Sequence, residues 1–205
     1  MKKRLPNRQS IRLKNYDYTQ PGHYFITICT QNRVHLFGNI VQRKMQLNEA
    51  GKMVEQVWKE IPHFYKGIYI NTMCIMPDHF HAIVTIGAGP RACPYGHVNV
   101  SFDRNINETQ SNDNVGHPRG GAPTLSLPDT TTLTTLSLPD VVHRFKTMTT
   151  KRYIDGVRES NWEPFDKKVW QRNYWERIVR DENALFCIQN YIRVNPLNWG
   201  KKKGG

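Results

Sequence analysis

The chain predicts an α+β fold of the ferredoxin-like kind, a β-α-β-β-α-β antiparallel sheet with an additional C-terminal helix. Three observations predict it. Runs of β-branched and aromatic residues at 23–30, 68–76 and 79–86 alternate with stretches of helical apolar spacing at 46–61 and 141–157. Only Pro77-Asp78 separates the second and third runs, so these should pair as a tight hairpin. A further apolar helix, 184–195, follows the last strand and exceeds what the six-element plan needs.

His23 to Thr30 opens the sheet after the turn residues Pro21-Gly22. The first helix spans Gln46 to Ile61, with Asn48 as N-cap, Met53, Val54, Val57, Trp58 and Ile61 on one stripe, and Pro62 as its stop. From 87 to 139 Gly, Pro, Asn, Ser and Thr dominate, and Thr-Leu-Ser-Leu-Pro-Asp occurs at 124–129 and again at 135–140. That stretch reads as a low-complexity insertion. Pro139-Asp140 opens the second long helix, in which Val141, Phe145, Met148 and Tyr153 face the core and Arg144, Lys146, Lys151 and Arg152 lie on other sides. Val169 to Arg180 reads as a strand and its continuation, and Asp181 caps the last helix, which ends before Pro196. One domain over 1–205 is expected, with a basic arm at 1–20, the insertion at 87–139 and a basic tail at 200–205.

Across 205 residues the net charge is +12, which points to a polyanionic partner, nucleic acid first. Four scattered cysteines without a Cys-x-x-Cys pair argue against structural zinc. No stretch has the pattern of a signal peptide or of a membrane span, so the expected setting is cytoplasmic, with no membrane partner.

The chemistry concentrates in Met76-Pro77-Asp78-His79-Phe80-His81. Two histidines two positions apart on a strand share a sheet face, about 6.5–7 Å apart, and can converge on one ion while Phe80 anchors the other face. With 8 histidines in 205 residues, chance alone gives about 0.3 such pairs per chain, so the pair needs company. Tyr191 and Asn195, four apart on the last helix, share a face. If that helix lies at the sheet's edge, Asn195 can complete a ligand set with His79 and His81, and Tyr191 then sits beside it. Arg144, Lys146, Lys151, Arg152, Arg172, Arg177, Arg180 and Arg193 are candidate phosphate contacts, and Trp170, Tyr174 and Trp175 candidate stacking residues.

The Met-Pro-Asp-His-Phe-His stretch resembles the His-hydrophobe-His motif of single-tyrosine HUH nucleases. Trp170 to Arg180, followed by Tyr-Ile-Arg-Val-Asn-Pro at 191–196, is similar to the C-terminal pattern of one branch, the REP-associated tyrosine transposases. The resemblance implies a DNA endonuclease and strand transferase with Tyr191 as nucleophile, His79, His81 and Asn195 as metal ligands, and Mg²⁺ or Mn²⁺ as the ion. It implies a 5′-phosphotyrosine intermediate and single-stranded, REP-like DNA hairpins as substrate. It further implies a bacterial, nucleoid-associated protein acting as a monomer, with a dimer as the alternative. Where this chain has Arg177, the family often has a histidine, so that histidine's role has no counterpart here. A hairpin-binding protein on the same fold that does not cut DNA is the rival reading.

Overall fold

Phe80 and the two histidines beside it show how the chain divides. Alternation along the strand sends Phe80 to one side of the sheet, where it is fully buried against Trp58 and Phe145, and His79 and His81 to the other. In the computed structural model, Leu13, residues 16–87 and residues 136–200 are described. The readings made for the arm and the basic tail fall largely outside those residues, and so does the insertion, apart from its flanks.

Strands β1 (Gly22–Cys29), β4 (Ile68–Met76), β5 (His79–Ile86) and β6 (Trp175–Val179) form one sheet in the order β4-β5-β1-β6, every neighbouring pair antiparallel. This is the predicted β-α-β-β-α-β order, with helices α1 (Glu49–Phe64) and α2 (Leu138–Glu159) as its two crossovers. Both helices cover the Phe80 face through Trp58, Ile61, Phe145 and Tyr153. Helix α3 (Glu182–Val194) packs on the opposite face, where Ile188 and Ile192 meet Ile83 and Val179. The sequence reading lets that helix lie against the sheet's edge. It lies across the face instead, because its apolar stripe matches the side chains that β5 and β6 turn away from α1 and α2.

A two-stranded ribbon, β2 (Gly38–Val41) with β3 (Lys44–Leu47), precedes α1 and is absent from the sequence reading. Its turn residues Gln42 and Arg43 take positive φ, 48° and 63°, without the Asn-Gly signal that marks such turns. Gln46 and Leu47 therefore belong to β3 and not to α1. Asn48 caps α1 as predicted, its Oδ1 accepting from Gly51 N at 2.8 Å. A Cβ on Gly51 would stand 2.3 Å from the Phe37 carbonyl, so only glycine lets α1 start this close to the ribbon. Pro62 lies inside the last turn rather than ending the helix. Helix α2 begins three residues before Val141, capped by Ser137 in a capping box with Asp140. Of the predicted 169–180 strand only Trp175–Val179 pairs along β1; Trp170 makes an isolated bridge to Thr30.

Candidate active site

The site is assembled from three elements on the α3 side of the sheet. β5 supplies His79 and His81, whose ring centroids lie 4.6 Å apart, nearly perpendicular at 79°. β1 runs alongside with Thr27 opposite His81 and Cys29 opposite His79. Helix α3 brings Tyr191, whose ring centroid is 5.4 Å from His81 and 6.0 Å from Phe25.

Each imidazole is held through the same nitrogen. His79 Nδ1 lies 2.5 Å from Asp78 Oδ1, and His81 Nδ1 lies 2.8 Å from the Thr27 hydroxyl. His81 Nε2 is buried and has no hydrogen-bond partner among the described residues. Burial pushes the His81 ring down to about 3, and the neighbouring His79 and Arg33 act in the same direction, so this ring stays neutral. Burial alone would raise the Asp78 carboxyl, but the His79 hydrogen bond and the proximity of His79 and the Arg33 guanidinium outweigh it and hold it below its ordinary value.

A neutral imidazole with an orphaned, buried Nε2 is the form that binds a divalent ion, so the residues present fit one. Among the described residues no three His, Cys, Asp or Glu side chains form a metal-binding group. A third protein donor would thus be of another type, and Asn195 is such a residue: half-buried, it closes α3 one turn after Tyr191 and starts the 3-10 turn Pro196–Asn198. Past that turn Trp199 stacks on His79, with centroids 6.0 Å apart and planes 26° apart, and also meets His35. The chain from Tyr191 to Trp199 therefore runs from one histidine to the other, with Asn195 between its two contacts.

The basic candidates separate by face. Arg144, Lys146, Lys151 and Arg152 are on α2, across the sheet from the histidines. Lys146 is engaged internally, its Nζ donating to the carbonyls of Gln171 and Arg172. Arg152 forms a two-point pair with Glu60, and Arg144 lies over the Tyr65 ring. Tyr174 and Trp170 are buried, and Trp170 Nε1 donates to Thr149 Oγ1; Trp175 is 63% exposed. Arg172, Arg177, Arg180 and Arg193 are exposed, and Arg177, paired with Phe25 across the strands, shares the histidine face. A cavity of about 470 Å³ follows the outer edge of β6, lined in part by Trp175, Arg177 and Arg180.

Sequence reasoning missed Thr27, Phe25, Arg33 and Trp199, and saw Asp78 only as a turn residue. Period-two alternation along β1 could have put Phe25 and Thr27 on one face; nothing local marks Arg33 or Trp199.

No protein-family model matches the chain. A Haemophilus influenzae protein described as uncharacterized is 38% identical over 195 residues, spanning 95% of this chain and 91% of its own length. A second Haemophilus influenzae protein, provisionally named a REP-associated tyrosine transposase, is 24% identical over 190 residues, 92% of this chain and 78% of its own. Among solved structures, a REP-associated tyrosine transposase bound to a REP hairpin has a TM-score of 0.48 at 16% identity, covering 92% of this chain and 74% of that one. A Deinococcus radiodurans protein solved as a provisional transposase has a TM-score of 0.40 at 17% identity, covering 89% and 95%.

Proposed function

We propose that the chain is a REP-associated tyrosine transposase, like the provisionally named Haemophilus influenzae relative 24% identical to it, and that it nicks and rejoins single-stranded DNA at REP-like hairpins through Tyr191. The observation that carries this reading is the orphaned, buried Nε2 of His81 beside a second imidazole and a 45%-exposed tyrosine. An unpartnered imidazole nitrogen and a solvent-open phenol on neighbouring rings are what a metal-assisted attack by tyrosine requires.

In this reading His79, His81 and Asn195 hold a divalent cation, Mg²⁺ or Mn²⁺. The cation supplies charge neutralisation at the scissile phosphate. Tyr191 Oη gives up its proton and attacks phosphorus, the new O–P bond forms as the bond to the 3′ oxygen breaks, and that oxygen takes up a proton and leaves as a 3′-hydroxyl. A 5′-phosphotyrosine remains, and attack by another 3′-hydroxyl reverses the step and joins strands. Packing of the Tyr191 ring against Phe25 and His81 holds the phenol at the mouth of the site. Arg177 is the phosphate contact of the histidine face, Arg172, Arg180 and Arg193 extend it, and Trp175 stacks an unpaired base beside the β6 edge.

The test is cleavage of a labelled single-stranded hairpin with Mn²⁺ or Mg²⁺, comparing the wild type with Tyr191→Phe and His79→Ala. A covalent protein–DNA band that needs the metal and both side chains is expected. Hairpin binding without any such band would favour the non-cutting rival, and a band surviving Tyr191→Phe would move the nucleophile elsewhere.

A further inference from the structure

Asp78 touches the site without a part in the reaction just described. It is only 5% exposed, and its carboxylate oxygens are divided between two cationic or donor groups. Oδ1 lies 2.5 Å from His79 Nδ1, and Oδ2 lies 2.9 Å from Arg33 Nε. The backbone is pinned as well, because the Asp78 carbonyl accepts from Thr30 N at 2.9 Å and from Thr30 Oγ1 at 3.0 Å. Arg33 reaches Asp78 from a loop in which Asn32 and Arg33 both take positive φ, 56° and 57°. Two consecutive non-glycine residues in that region carry backbone strain, which a surrounding structure must hold in place. Among the contacts that hold it are the Asp78 pair, a hydrogen bond from Arg33 to Cys29 Sγ at 2.7 Å, and backbone bonds from Arg33 N to the Thr30 carbonyl and from Gln31 N to the Val169 carbonyl.

The two histidines differ in how firmly their partners dictate the proton. A hydroxyl can donate or accept, so Thr27 permits either tautomer of His81. An ionised carboxylate only accepts, so Asp78 requires the hydrogen of His79 to sit on Nδ1. We propose that Asp78, anchored by Arg33, is a positioning residue that locks His79 as the Nδ1–H tautomer and so points the Nε2 lone pair of His79 at the site. The charged partner also makes that nitrogen a better donor to a cation. Only the cation part of this inference rests on the functional reading above; the tautomer part stands on the geometry of three side chains.

The experiment uses the full chain and two readouts, comparing the wild type with Asp78→Asn. Long-range ¹H–¹⁵N correlation of the histidine rings, without metal, should find His79 protonated on Nδ1 in the wild type and distributed over both nitrogens in Asp78→Asn. Mn²⁺ titration followed by electron paramagnetic resonance should find affinity about 10–100-fold weaker in Asp78→Asn. Metal-free hairpin affinity should stay within about twofold, which a collapse of the fold would not allow. If Asp78→Asn does not fold, the wild-type tautomer still decides, and Arg33→Gln, which keeps the Asp78–His79 bond, should leave His79 protonated on Nδ1 while weakening Mn²⁺ binding by less than about tenfold. A wild-type His79 protonated on Nε2, or an Asp78→Asn protein with unchanged tautomer and Mn²⁺ affinity within about twofold, would overturn the proposal. A wild type that binds no Mn²⁺ while the His79 tautomer still follows Asp78 would sink the functional reading and uphold the positioning role.

Discussion

Thr27 and His81 face each other across the β1–β5 ladder, and the 2.8 Å contact between the Thr27 hydroxyl and His81 Nδ1 leaves Nε2 as the one ring nitrogen of His81 without a partner. The hydroxyl thus helps to orient the ring, together with the Phe25 ring stacked on it. Thr27→Val keeps the shape and removes that contact, leaving a second buried nitrogen unpaired. The expected result is about 1 kcal/mol less stability in urea unfolding. Mn²⁺ affinity should fall about tenfold, with the drop measured in the same preparation. Unchanged affinity would mean that strand packing alone sets the ring.

Burial separates the aromatic residues that the sequence grouped together. Trp170 packs against Phe37 and Phe145, whereas Trp175 is 63% exposed at the β6 edge. Trp170→Ala should cost about 3–5 kcal/mol of stability as a core deletion. Trp175→Ala should leave the unfolding midpoint in place and weaken binding of a single-stranded oligonucleotide by about 1–3 kcal/mol. Fluorescence anisotropy with calorimetry on both variants separates the two effects.

The Glu60–Arg152 pair gives a pH dependence with a definite sign. The Arg152 hydrogen bond holds the Glu60 carboxyl below its ordinary value of 4.5, against a smaller upward pull from burial. A carboxyl depressed in the folded state stabilises fully above the unfolded value and loses that contribution as pH falls through the folded one. Wild type should exceed Glu60→Gln by about 0.5–1 kcal/mol at pH 7, the size of a half-exposed pair. The gap should close as the pH is lowered below 4.5, and a gap constant over that range would assign the pair no electrostatic role.

On β6, Glu176 is the converse case. Both of its carboxylate oxygens are shielded from solvent without a hydrogen-bond partner among the described residues. A shielded carboxyl group without a hydrogen-bond partner is destabilising, so Glu176→Met should raise stability by about 1–3 kcal/mol, read as a higher urea midpoint. A lower midpoint would show that the carboxylate contributes favourably to the fold.

Much of the fold was legible because its signals are local. The β-branched runs, the helical spacing, the Pro77-Asp78 turn and the caps Asn48 and Asp181 all report on neighbours within a few residues, and all four recur in the structure. The β2–β3 ribbon escaped because its strands are four residues each and its turn lacks the usual residues. Extending α1 back to Gln46 was the matching error: an apolar residue ahead of a cap looks alike in a helix and in a strand.

The sequence by itself determined the order of elements, the shared face of His79 and His81, and the shared face of Tyr191 and Asn195, because period two and period 3.6 decide those relations within one element. Only the tertiary structure decided that α3 crosses the sheet on the histidine side, that α2 carries its basic residues on the other side, and that Thr27, Asp78 with Arg33, and Trp199 surround the two rings. Those relations join residues far apart in the chain, as Thr27 and His81 are. Such contacts arise when packed layers close on one another, and no local repeat records them.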